Sequence, residues 1–120
     1  YLSSNKKPAS AVSNTLINDV VNSINEHFRE DLSVESIASE FHIDKSYLSH
    51  LFKEYVGIPL WNYVICKRLT YFNALVIQNH SIDEACALAG FQNYSNFFRL
   101  YKKHMNMTPS EFQRTYRTRP

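Results

Sequence analysis

The chain has 120 residues, 44% of them hydrophobic, which is the size of one ordinary domain with enough apolar content for one or two small cores. Two glycines, four prolines and no sustained apolar-polar alternation exclude a sandwich or barrel and leave an all-helical chain, with eight Tyr and eight Phe to build its cores from large rings. The net charge of +2 is too mild to diagnose a partner, so position matters more: acids dominate 26–40, whereas from Tyr94 onward six Lys or Arg face Glu111 alone.

Residues 1–12 are polar and rich in Ser, Asn and Lys, and read as a flexible arm or linker. The chain starts on Tyr1 rather than Met, which fits a C-terminal piece of a longer protein. Ser13 or Asn14 is then placed to cap a helix whose Leu16, Ile17, Val20, Val21, Ile24 and Phe28 repeat at three and four residues. Glu30-Asp31-Leu32 breaks it. Ser33 caps a shorter helix that buries Val34, Ile37, Ala38 and Phe41, the chain turns at His42-Ile43, and Asp44 caps a third helix with Leu48, Leu51, Phe52 and Tyr55 inward, ending at Gly57. Residues 13–58 thus form a first helix-turn-helix subdomain.

Residues 59–79 form a linker helix, running from about Leu60 to Gln78, whose Trp61, Val64, Ile65, Leu69, Phe72, Leu75 and Val76 cover more than one stripe. About 19 helical residues at 1.5 Å span roughly 28 Å, close to the ~34 Å between successive major-groove faces on one side of B-DNA. A second helix-turn-helix subdomain, 80–116, opens on Ser81 and Glu84 as a capping box, with Ile82, Ala85, Cys86 and Ala89 on one face. Gly90 turns the chain through positive φ, Phe91 plugs inward, and a helix from about Tyr94 to His104 buries Phe97, Leu100 and Tyr101. Its other side carries Ser95, Asn96, Phe98, Arg99, Lys102 and Lys103 with no acid, the pattern a phosphate backbone selects. Thr108-Pro109-Ser110-Glu111 announces the last helix with a capping box and a proline at its first position, after a left-handed cap at Asn106. Residues 117–120 end a basic, loose tail containing Arg114, Arg117 and Arg119.

The two subdomains repeat one another. Ser33-Val34-Glu35 pairs with Ser81-Ile82-Asp83 at an offset of 48, as Ile43 does with Phe91; beyond the turn the offset becomes 49, pairing Ser46 with Ser95, Leu48 with Phe97, His50 with Arg99, Lys53 with Lys102 and Gly57 with Asn106. Two copies of one unit on a spacer of groove-spacing length describe a tandem DNA reader. Side chains near the start and middle of an inserted helix meet base edges, and flanking cations meet phosphates. The base-reading candidates are Ser46, Ser49 and His50 in the first unit and Ser95, Asn96 and Arg99 in the second; Lys45, Lys53, Lys102 and Lys103 are the phosphate candidates. Asn96 suits adenine and Arg99 suits guanine, and Phe98 is placed to touch a thymine methyl.

The run Ala89-Gly90-Phe91-x-x-Tyr94-Ser95-x-Phe97-x-Arg99-x-x-Lys102, followed by Thr108-Pro109-Ser110-Glu111-Phe112, resembles the signature of the AraC/XylS family of bacterial transcription regulators, and the likeness extends back to Leu32. The resemblance implies an all-α domain of seven helices, two helix-turn-helix subdomains on a long linker helix, that reads promoter or operator DNA. It also implies RNA polymerase as a partner, with a separate sensing or dimerising domain in the full-length protein. Where this family often has a small residue in the linker helix, the chain has Phe72, and it has Asn106 where glycine is usual.

Two other classes compete. An enzyme is disfavoured because no histidine pair has HExxH spacing, neither glycine belongs to a phosphate-cradling loop and no Ser sits in a nucleophile elbow. His27, His42, His80 and His104 read as surface or helix-end residues, and no catalytic residue, metal or cofactor is expected. A helical protein-interaction module with an aromatic groove is the other rival; its binding would respond weakly to salt, unlike DNA binding. Cys66 and Cys86, without CxxC pairing, read as reduced, buried thiols. No apolar run approaches the roughly 18 residues of a membrane span and no signal peptide is visible, so a cytoplasmic protein is expected, monomeric as this segment.

Overall fold

The computed structural model describes the backbone of residues 3–116 and the side chains of residues 13–116. Tyr1, Leu2 and the tail with Arg117 and Arg119 lie outside the described residues. Seven helices and no strand occur among the described residues: α1 Ser3–His27, α2 Val34–Glu40, α3 Lys45–Val56, α4 Leu60–Ile77, α5 Ile82–Leu88, α6 Tyr94–Met105 and α7 Pro109–Tyr116. α1 starts ten residues before the expected cap at Ser13, over most of the stretch read as an arm. Ser, Asn and Lys, with Ala9 and Ala11, are all residue types compatible with a helical backbone.

The chain divides into two units, Tyr1–His27 with Leu32–Val64, and Phe28–Asp31 with Ile65–Pro120. α4 starts in the first and ends in the second, so the linker helix supplies Leu60 and Val64 to one core and Ile65, Leu69, Phe72, Leu75 and Val76 to the other. This division explains why its apolar positions cover more than one stripe. Cys66, next to Ile65 but about 100° round the helix, is exposed with Thr70 and Ile77 on the opposite side, which corrects the expectation of a buried thiol.

In the first unit, Ile17, Val20 and Ile24 of α1 pack with Ile37, Ala38, Leu48, Leu51 and Phe52, all buried. The Phe52 and Tyr63 rings meet edge to face at 5.7 Å, and the Tyr63 hydroxyl donates to Asn25 Oδ1 at 3.0 Å, so its polar end is satisfied. Tyr55, expected inward, is 39% exposed in the last turn of α3.

The second unit is built on rings. Phe72 lies 4.8 Å from Phe97 and 5.4 Å from Tyr101, Phe91 lies 4.9 Å from Phe97, and Tyr101 continues to Phe112 at 6.4 Å. Phe72 is therefore enclosed in this core. Tyr101 donates to Asn73 Oδ1 at 2.6 Å, and its burial holds the phenol well above its usual pKa. Leu100 is half-buried rather than enclosed. Arg68, 7% exposed, is the one buried charged residue among the described residues. Its Nε donates to Phe28 O at 2.6 Å and its Nη2 to Glu30 O at 2.8 Å, while the guanidinium stands 5.9 Å from the centre of the Phe91 ring. The segment between α1 and α2 is thereby strapped to the second unit. Burial pulls the Arg68 pKa below its usual value, with Asp31 acting in the opposite sense.

Candidate nucleic-acid interface

Each unit positions one helix by the same local chemistry. In the first, α2 ends through Phe41, His42 adopts left-handed φ of 58°, and Ile43 N donates back to Ala38 O at 3.0 Å. In the second, α5 ends through Ala89, Gly90 takes φ of 101°, and Phe91 N donates to Cys86 O at 3.1 Å. This six-to-one return with one left-handed residue is the Schellman closure, and it sets the corner from which the next helix departs. Only at Gly90 is glycine sterically required, since a Cβ there would lie 2.8 Å from Arg29 O.

Both departing helices are capped at the start. Asp44 Oδ2 accepts from Ser46 N at 2.9 Å and Tyr47 N at 3.1 Å; Asn93 Oδ1 accepts from Asn96 N at 2.9 Å. Both end on a left-handed residue, Gly57 at φ 99° with its N–H on Lys53 O, and Asn106 at φ 59° with its N–H on Lys102 O. Asparagine keeps the cap expected of it.

At about 100° per residue, Leu48, Leu51 and Phe52 face inward on α3, which leaves Ser46, Ser49, His50 and Lys53 together on the other side. Ser46, His50 and Lys53 are exposed and Ser49 is half-buried. Ser49, His50 and Lys53, with Glu54, line a concavity of about 510 Å³ that is otherwise floored by Val34, Pro59, Leu60 and Trp61. Lys45 is not free on this surface: its Nζ meets Glu35 Oε2 at 2.8 Å. That hydrogen bond holds Lys45 above and Glu35 below their usual pKa values. The pair is solvent-exposed and exchangeable for another anion. Tyr47, 50% exposed, occupies in α3 the place Asn96 has in α6; the offset of 49 was the signal for it.

On α6, Phe97 and Tyr101 are buried while Ser95, Asn96, Arg99, Lys102 and Lys103 are all exposed. Phe98 is half-buried, its ring 6.2 Å from that of Tyr94. Arg99 Nη2 donates to Asn96 Oδ1 at 2.9 Å, so two of the expected readers are bonded to each other. Lys102, Lys103 and His104 occupy the last turn, where cations also suit the negative end of the helix dipole; Arg99 lies in mid-helix and has no such reason to be basic. Among the described residues no group of three or more His, Cys, Asp or Glu is placed to hold a metal ion, and no helix is long and apolar enough to cross a membrane.

The family described as "Helix-turn-helix domain" matches residues 37–115. An uncharacterized HTH-type transcriptional regulator of Escherichia coli (strain K12), YdiP, is 32% identical over 104 residues, which cover 85% of this chain and 34% of that protein. The chain thus spans about a third of the length of this curated relative. Among solved structures, the C-terminal domain of AraT, a response regulator from Geobacillus stearothermophilus, is 25% identical with a TM-score of 0.82, covering 86% of this chain and 87% of that one. A transcriptional regulator from Chromobacterium violaceum, described among AraC-type DNA-binding domain-containing proteins, is 28% identical with a TM-score of 0.75, covering 88% and 96%.

Proposed function

The chain belongs to the AraC-type family of helix-turn-helix domains, and from that premise we propose that it is the sequence-specific double-stranded DNA-binding domain of a bacterial transcription regulator, with α3 and α6 as its two recognition helices. Ser46, Ser49 and His50 read base edges from α3. Ser95 and Arg99, the latter bonded to Asn96, read them from α6, while Lys45, Lys53, Lys102 and Lys103 neutralise phosphates. The two helices take adjacent major-groove segments. The observation that carries this reading is the outer side of α6: five exposed polar or cationic residues, Ser95, Asn96, Arg99, Lys102 and Lys103, on a helix with no acid.

In this reading Lys45 exchanges the Glu35 carboxylate for a DNA phosphate, which the exposure of both partners permits. The whole regulator acts in the cytoplasm at promoters, with RNA polymerase as a second partner and a separate sensing or dimerising domain in the rest of its length. No catalysis enters this function. Selection of binding sites from a random duplex library with the 120-residue chain tests it. Two short motifs separated by about one helical turn are expected. Enrichment of one motif alone would remove one of the two readers, and no enrichment would remove both.

A further inference from the structure

The two readers on α6 are chemically unequal. Arg99 Nη2 donates one hydrogen to Asn96 Oδ1 at 2.9 Å, and the Asn96 backbone N–H is itself held by Asn93 Oδ1 at 2.9 Å, so this asparagine is fixed at both ends. A guanidinium has five N–H donors in a rigid fork. After one Nη2 hydrogen is committed to Asn96, the other Nη2 hydrogen and those of Nη1 remain, enough for the O6 and N7 acceptors of one guanine. For Asn96 the balance differs. Adenine recognition needs its Oδ1 to accept from N6 while its amide nitrogen donates to N7. That oxygen keeps a second lone pair, but the charge-assisted bond from Arg99 is the stronger of the two and sets the orientation of the amide, so the Asn96 plane follows the guanidinium.

We propose that Asn96 is a positioning residue: it sets the plane of the Arg99 guanidinium for guanine and does not read adenine itself. The inference rests on α6 being a recognition helix. It leaves Ser95 and Arg99 as the base-reading side chains of α6, with Asn96 as the buttress of Arg99, and it predicts a guanine, not an adjacent adenine and guanine, as the strongest preference of the second half-site.

The test uses the whole chain and a selected duplex in which each base pair of the second half-site is permuted, with Kd read by fluorescence anisotropy. Asn96→Ala is expected to raise Kd for the best site roughly twofold to tenfold, the worth of one exposed hydrogen bond, and to flatten the same base-pair preference that Arg99→Ala flattens. The double variant should bind no worse than Arg99→Ala alone. Asn96→Asp keeps an acceptor for Arg99 but loses the amide donor, so it should weaken all sites alike through its charge and preserve the guanine preference. Replacing that guanine by 7-deazaguanine should weaken the native chain and leave Arg99→Ala unchanged. Loss of an adenine preference in Asn96→Ala, or additive losses in the double variant, would overturn the positioning role. Failure of the underlying reading looks different, because the native chain would then show no base preference at any position.

Discussion

The corner before α6 allows a stability prediction with an internal control. Gly57 and Gly90 have nearly equal backbone angles, φ of 99° and 101°, so alanine suffers the same left-handed penalty at either site. That penalty is about 1–2 kcal/mol, partly offset by about 0.4–1 kcal/mol of lost freedom in the unfolded chain. The surroundings separate them. A Cβ at Gly57 meets nothing within 4 Å, whereas at Gly90 it would lie 2.8 Å from Arg29 O and 3.1 Å from both Arg29 C and Cα. These are backbone atoms, held because Arg68 bonds the carbonyls of Phe28 and Glu30 on either side, so the contact is not relieved by a rotamer change. Overpacking of this kind costs about 1–3 kcal/mol. Gly57→Ala should therefore cost about 1 kcal/mol and Gly90→Ala about 2–4 kcal/mol, a difference of several degrees in Tm for a chain of this size. Urea unfolding of both variants, analysed at a common m-value, measures the difference. Equal losses at the two sites would refute the close approach of the Arg29 backbone to this corner.

Arg68→Met should lose about 3 kcal/mol of stability in the same urea assay, because two charge-assisted bonds to main-chain carbonyls go, and Arg68→Lys should recover less than half, having no fork to span Phe28 O and Glu30 O. A loss below about 0.5 kcal/mol would exclude the strap. In the native chain a thiol reagent at mildly alkaline pH should titrate Cys66 quickly and Cys86 only after unfolding, since burial pushes the Cys86 thiol up to about 11; two fast thiols would contradict this. The Glu111 carboxyl lies below its usual pKa because it accepts the Thr108 N–H at 2.8 Å, so its contribution to stability is present above the ordinary carboxylate range and is lost as pH falls through the lowered value. The stability gap between the native chain and Glu111→Gln should accordingly close on acidification, and a gap that widened would be incompatible with the capping box.

Features encoded within one turn of helix were legible before any coordinates. Ser33, Asp44, Ser81 and Thr108 each cap the helix assigned to them, because a short side-chain oxygen two or three residues ahead of an N–H needs no tertiary context. Asn106 was legible for a similar reason, as one of the residues that tolerate left-handed backbone. His42 was not: nothing in a lone histidine announces φ of 58°, although its alignment with Gly90 at the offset of 48 carried the information. Nothing in the sequence singled out Arg68, because its partners are main-chain carbonyls some 40 residues earlier, which have no side-chain signature. The same holds for the site. Exposure of Ser46, His50, Ser95 and Arg99 followed from helical period, whereas the pairing of Lys45 with Glu35 and of Arg99 with Asn96 depends on rotamers that period does not specify.

The most direct measurement is the salt dependence of binding to a selected duplex. Four lysines on phosphate at about 0.9 each give a slope of log K against log salt near −3.6, so affinity should fall about a hundredfold between 50 and 200 mM, and Lys102→Ala should reduce the slope by about one while keeping the base preferences. Affinity that barely changes with salt, or a Lys102→Ala chain with the native slope, would contradict recognition of DNA by these two helices.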